Sequence, residues 1–317
     1  MNSKKFLFTY VILTLVLVTL MAGINYFIDI YGLFRGKKDR KVYINERTSK
    51  YLMSYRYIPE NFEGFIMGPS LSANLNPEQI KEYKIYNASI MGANISELNY
   101  LVDNIVERGN MKFAIICLDP YLTKDHGRKS ANITTEEYYG ALGSTNLLKT
   151  YLLYFVRNNN IAPHRYAPDL HNTVGWNNFE KETHNIDSKR SIEEKAAKRQ
   201  YEKTEIDPVA YKELNTTLIK LRHKNIKVIG YFSPVPYKLY QLGKSDYQKF
   251  ESDISALFTK NDVLINLNEE KYKGITNNYN TFIDHGHLSA EGQHFVLSVL
   301  ERELKELFPA KVNYASN

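Results

Sequence analysis

Three short stretches hold the side chains that could do covalent chemistry. In FIMGPSLSANL, residues 65–75, a strand-like run ends at Gly68 and Ser70 falls in the turn after it. Ligands of open α/β sheets bind beyond the carboxyl ends of the strands, which is where a nucleophile belongs. Serine is also a favoured turn residue, so a simple turn is the competing reading. In TFIDHGHLSAEGQHF, residues 281–295, Asp284 and His287 stand three apart, ahead of a helix with Ser289 as its N-cap. A serine nucleophile needs a base, and the imidazole needs an acceptor that fixes its tautomer; one Asp-x-x-His turn supplies both. A capping loop with no chemical role accounts for the same residues. The pair His285 and His287 also resembles a metal-ligand pair, but His126, His164 and His294 have no motif around them to complete a set. We expect no metal and no cofactor. In YNASIMGAN, residues 86–94, Gly92 would let the backbone approach a substrate and aim an N–H at an oxyanion, or would merely open the turn before the next helix.

These residues need a scaffold, and the hydrophobic pattern supplies one. Strand-like runs occupy Gly64–Met67, Lys84–Asn87, Phe113–Leu118, Lys227–Phe232 and Val263–Leu267. Between or after them lie amphipathic segments at Ile95–Arg108, Pro208–Lys224, Ser245–Phe258 and Ser289–Leu307; in the first, Ile95, Leu98, Leu101, Val102 and Ile105 keep a helical period. Strands alternating with helices predict an α/β fold, a flavodoxin-like three-layer sandwich on a five-stranded parallel sheet. The stretch 124–205 breaks the rhythm. It is polar, rich in Asn, His and Tyr, and holds the sole tryptophan, Trp176. A structureless loop of that length does not suit a compact domain, so a helical insertion is expected, with Ser191–Lys203 as its clearest helix.

Phe6 to Ile28 contains no charge and is long enough to cross a bilayer. A cleaved signal peptide would be shorter in its apolar core, so an uncleaved anchor over 6–28 is the reading taken, after a short tail at 1–5. Residues 35–58 then carry eight Lys and Arg against Asp39 and Glu46, a net charge as large as the +6 of the entire chain. The basic pI therefore reflects a collar within 29–60 that anionic headgroups would attract, and not a nucleic-acid surface, so no nucleic-acid partner is expected. A single domain follows over 61–310, with a tail at 311–317. Positive charge after the span argues for a cytoplasmic domain, but large domains translocate largely regardless of it. Cys117 is the only cysteine, which rules out an intrachain disulfide and a zinc-type cysteine cluster.

Gly68-Pro69-Ser70, Asn87–Gly92 and Asp284-His285-Gly286-His287, in this order over about 63–308, resemble the SGNH (GDSL-like) hydrolase superfamily. The resemblance implies a Ser70–His287–Asp284 triad and an oxyanion hole drawn from Ser70, Gly92 and Asn94, with Asp119, Tyr121 and His285 beside the substrate. Two departures stand out: Pro69 replaces the Asp usual before the serine, and Asp119 stands where an Asn is usual. With the anchor, these features look like the membrane-tethered branch that modifies polysaccharides. That branch implies an extracytoplasmic, single-pass membrane enzyme. It would O-acetylate an exopolysaccharide or cell-wall polysaccharide with acyl groups supplied by a membrane-bound O-acyltransferase. Esterase action with the same triad, D-alanyl transfer to teichoic acid, and a non-catalytic polysaccharide-binding or scaffold role remain as alternatives. The 25 tyrosines and Trp176 would suit sugar stacking.

Overall fold

A computed structural model describes residues 3–43, 45–124, 140, 146–161, 170–183 and 186–309 of the chain. The strands form where apolar runs are uninterrupted. β1 (Gly64–Met67), β2 (Ile85–Asn87), β3 (Phe113–Leu118), β4 (Lys227–Phe232) and β5 (Val263–Asn266) make one sheet in the order β2-β1-β3-β4-β5. Every pairing is parallel, with Gly64 opposite Ile85 and Phe113, Phe113 opposite Lys227, and Ile229 opposite Val263. This is the expected flavodoxin-like order. A parallel sheet buried on both faces needs apolar side chains on both. Accordingly, Phe65, Met67, Ala114 and Ile116 join one core, while Ile66, Ile115, Cys117 and Ile229 join the other.

The first core is closed by α2 (Glu46–Met53), α3 (Tyr57–Asn61), α5 (Ile95–Arg108), α8 (Pro208–His223) and α10 (Lys244–Ser255). The second is closed by α7 (Ser188–Ala197), α9 (Tyr237–Leu242) and α11 (Ala290–Leu307), the last through Val296, Leu297, Leu300 and Leu304. α1 (Ser3–Ile28), which is long and apolar enough to cross a membrane, lies outside this plan, and α6 (Asn146–Asn158) joins the first core through Leu147 and Tyr151. A short α4 (Ser70–Ala73) follows β1. The strand order reverses between β1 and β3, so the loops after these two strands open a crevice at the switch point. Ser70 and Asp119 are the residues placed there.

Two details depart from the sequence expectations. The helix expected over Ser191–Lys203 is shifted, running from Ser188 to Ala197. Asp187 caps it by accepting the Arg190 N–H, and Arg199 takes φ +52°, which turns the chain out of the helix. The following segment is extended and lays the Tyr201 ring against Gly243, where a Cβ would stand 2.4 Å from it. The basic segment, in turn, is partly folded into the domain. Arg40 is buried against Asp29, Arg47 pairs with Glu97 at 2.8 Å, and Lys50 is fully buried beside Glu46 at 3.0 Å. Burial alone would raise the Glu46 carboxyl, but Lys50, His171 and the Met91 N–H outweigh it and hold it at about 2. Buried charge of this kind persists only when paired.

Candidate active site

Ser70 is the first residue of α4, and the backbone that presents it is tightly fixed. At Gly68 a Cβ would lie 2.4 Å from Ser72 Oγ and 2.6 Å from Cys117 Cβ, so only glycine lets the turn close against β3. The buried Asn87 side chain donates to Ser72 O at 2.7 Å and Leu75 O at 2.8 Å, and accepts from Ser89 N at 3.0 Å. Asn74 Nδ2 donates to Leu288 O at 2.7 Å, which ties the Ser70 turn to the His287 loop across more than two hundred residues.

The second loop is shaped by its own aspartate. Asp284 Oδ1 accepts the N–H groups of Gly286 and His287, each at 2.8 Å. Ile283 N donates to His287 O, which closes the turn. Ser289 caps α11 as expected, accepting Gly292 N at 3.2 Å, and Gly292 lies so close to Thr281 O that a Cβ would stand 2.2 Å from it. The result is a relay. His287 Nδ1 is 2.8 Å from Asp284 Oδ2, and His287 Nε2 is 3.0 Å from Ser70 Oγ. Burial pushes the Asp284 carboxyl up, but the His287 hydrogen bond and charge, with the two N–H groups, outweigh it and hold the group at about 2. An anionic Asp284 fixes the proton on Nδ1 and leaves Nε2 free to take one from Ser70.

The relay opens on a cavity of about 170 Å³ lined by Leu71, Asp119, Tyr121, Pro234, Val235, Pro236 and Leu239, with Lys195, Tyr201, Glu202, Tyr247, His285 and Gly286 at its wall. The expected substrate residues Asp119, Tyr121 and His285 are thus all brought to it. Burial raises the Asp119 carboxyl to about 6, with Glu202 adding to that; the Tyr121 N–H, Lys124 and His287 oppose it. Burial also lowers the pKa of His285, whose Nδ1 is 3.1 Å from Ser191 Oγ. Gly92 and Asn94, by contrast, are not brought to the cavity wall. Gly92 has a left-handed φ of +66°, and a Cβ on it would stand 3.7 Å from Arg47 Nη2 and 4.0 Å from the Tyr121 hydroxyl. The Asn94 side chain caps α5 by accepting Glu97 N and donates to Lys124 O, so the amide suggested as an oxyanion donor is engaged elsewhere.

The sequence reading also missed groups that the structure brings in. Phe179, from the insertion, lays its ring 4.8 Å from the His287 ring. Trp176, suggested as a sugar-stacking residue, donates its indole N–H to Asn74 O at 2.8 Å and so braces the Ser70 turn. Neither contact has a local signature in the chain. No cluster of three or more His, Cys, Asp or Glu poised for a metal occurs among the described residues, and His294 is 3.3 Å from Gln79. His126 and His164 lie outside the described residues.

No family model matches the chain, and no curated protein matches it. Among solved structures, a protein of Streptococcus pneumonia provisionally described as a platelet activating factor is similar at 10% sequence identity and a TM-score of 0.45. The match covers 82% of this chain and 91% of that one. A similarity so distant does not bear on activity.

Proposed function

We propose that the protein is a membrane-anchored serine acyltransferase of SGNH type that forms an acyl ester on Ser70 and passes the acyl group to a sugar hydroxyl. The observation that carries this reading is the Ser70–His287–Asp284 relay, with both hydrogen bonds at ordinary lengths and an anionic Asp284. In the first half, Ser70 Oγ attacks the donor carbonyl while its proton moves to His287 Nε2. The leaving group takes that proton as its bond to the acyl carbon breaks. In the second half, His287 removes the proton of an acceptor hydroxyl, which attacks the acyl ester, and the proton returns to Ser70 as it leaves. The Ser70 N–H is the oxyanion donor retained from the sequence reading.

The cavity supports a short acyl group. Leu71, Pro234, Val235, Pro236 and Leu239 give it an apolar wall, and its volume of about 170 Å³ falls below the roughly 300 Å³ at which drug-sized sites begin. The wall is also rigid, because Asn268 accepts Val235 N at 2.8 Å and donates to Ser233 O at 3.1 Å. Pro236 also borders a neighbouring cavity of about 530 Å³ lined by Tyr237, Tyr279, Gln241 and Asn277. Aromatic faces beside amides are the chemistry that receives the C–H faces and hydroxyls of a sugar, which supports a polysaccharide as acceptor. The helix α1 supports a membrane location; in this proposal a membrane-bound O-acyltransferase delivers the donor and the domain lies outside the cytoplasm. With water as acceptor, the same relay acts as an esterase.

The full chain in detergent, treated with a fluorophosphonate serine probe, tests the core of this reading. Wild-type protein should be labelled at Ser70, and labelling should vanish in Ser70→Ala and in His287→Ala. A folded wild type that stays unlabelled would leave the relay without an activated serine.

A further inference from the structure

The helix α6 is apolar on two faces, and only one of them is covered. Leu147, Tyr151 and Val156 are buried, and Leu147 and Tyr151 join the core with Ile30 and Tyr31. The Tyr151 hydroxyl donates to the buried Asn25 side chain at 2.6 Å, which fixes α6 to the last turns of α1. Tyr154 meets Tyr43 edge to face, and Arg157 donates to Tyr43 O at 3.2 Å. On the outward side Leu148, Leu152 and Phe155 follow an i, i+4, i+7 stripe and are 47%, 63% and 56% exposed. In the last turn of α1, Tyr26 and Phe27 are 49% and 74% exposed. A helix apolar on both faces is otherwise found buried, and a contiguous apolar stripe on a surface marks an interaction site.

Charge on the neighbouring surface says what covers it. Arg35 caps the carboxyl end of α1 through Tyr26 O and Phe27 O. With Phe34, Gly36, Lys37, Lys38, Arg56 and Glu60 it lines a hollow of about 420 Å³, four cations against one carboxylate. Arg35 reaches Asp29 at 3.7 Å and Arg56 pairs with Glu60 at 2.5 Å, whereas Lys37 and Lys38 meet no carboxylate among the described residues. Apolar side chains together with such cations, in a chain whose spanning helix ends at Ile28, are the two halves of a membrane interface. A water-soluble protein partner would call for the first half and not the second.

We propose that the Leu148–Leu152–Phe155 face of α6 lies in the bilayer interface that α1 enters, with Arg35, Lys37 and Lys38 at the level of anionic headgroups. The inference rests on the reading that α1 spans the membrane. It makes the domain a seated body and not a tethered one, because the helical insertion provides a second membrane contact beside the anchor.

The test uses the full chain in vesicles of phosphatidylglycerol and phosphatidylcholine that carry a lipid-attached spin-label quencher. Fluorophores go on cysteines introduced by Leu15→Cys in α1, Leu152→Cys in α6, and Lys260→Cys in the exposed turn before β5; the buried Cys117 stays unlabelled. Quenching at 152 should be several-fold stronger than at 260 and approach that at 15. Quenching at 15 with none at 152 would overturn the inference and leave the span standing. Absence of quenching at 15 would overturn both. Protection of 152 that rises with protein density in the vesicle would assign the face to a second copy and overturn the lipid proposal.

Discussion

Asp284, ahead of the last helix, and Asp119, at the end of β3, each accept a backbone N–H two residues on, and each is less than a tenth exposed. Their carboxyls nevertheless sit about four units apart, at about 2 and about 6. Both lose hydration on burial, Asp119 the more completely, and they differ as well in what replaces the water. Asp284 receives three hydrogen bonds, two from backbone N–H groups and one from His287 Nδ1 at 2.8 Å. Asp119 receives one, from Tyr121 N at 2.8 Å, and faces the negative Glu202 as well as the more distant His287 and Lys124. One cleft thus holds a carboxylate committed to its charge and another balanced near neutrality. The lesson is that donor count together with depth decides the charge of a buried acid.

The largest effect should come from removing the committed charge. Asp284→Asn keeps the shape of the turn but supports the wrong imidazole tautomer, and a loss of about ten-thousand-fold in acylation rate is expected. The rate of Ser70 labelling by the fluorophosphonate checks this, with circular dichroism confirming the fold. A loss of tenfold or less would mean that Asp284 merely shapes the loop.

A smaller effect should follow at the balanced acid. Asp119→Asn should abolish the inflection near pH 6 in the labelling rate, since that carboxyl titrates at about 6. Stability should change as well. A carboxyl whose folded pKa is raised above 3.8 contributes stability that is present below 3.8 and lost as pH rises through about 6. The variant lacks that loss, so its stability relative to wild type should climb between about pH 4 and about pH 7 by up to about 3 kcal/mol, read as a rising difference in Tm. An unchanged difference in Tm across that range would show that Asp119 is ionised throughout.

The Asp284–His287 half of the relay was legible in the sequence because it is local, whereas Ser70, 217 residues away, was joined to it only by the family resemblance. Asp284 and His287 are three residues apart and shape their own turn, and the apolar runs that became β1, β3 and β4 were read with their observed ends. The parallel sheet was expected from the alternation of strands with helices, and its order from the flavodoxin-like class. What escaped notice is what long-range packing decides. The Asn74–Leu288, Trp176–Asn74 and Phe179–His287 contacts join residues a hundred or more apart, and no periodicity announces them. Arg40, Arg47 and Lys50 read as a solvated basic run because their partners Asp29, Glu97 and Glu46 show up only in the fold. Asn94 was read without its local partners: its Oδ1 caps α5 and its Nδ2 donates to Lys124 O, a contact that shows up only in the fold.

The smallest effect separates the contributions at Asp119 itself. Glu202 raises that carboxyl's pKa by its charge, and it also forms a salt bridge with Lys124, which acts in the opposite sense. Glu202→Gln removes the repulsion and frees the Lys124 cation, and both changes favour the ionised form. The inflection in the labelling rate should therefore move to lower pH. Glu202 is 44% exposed at its side chain, so water and salt screen most of its field and the displacement should be a fraction of a unit. Raising the ionic strength should shrink the displacement further while leaving the inflection of the wild type clearly above the ordinary range of aspartate, because burial, and not Glu202, is the main cause of its position. If Glu202→Gln instead returned the inflection to that of an ordinary aspartate, Asp119 would be governed by a neighbouring charge, and the contrast with Asp284 would cease to be one of donor count.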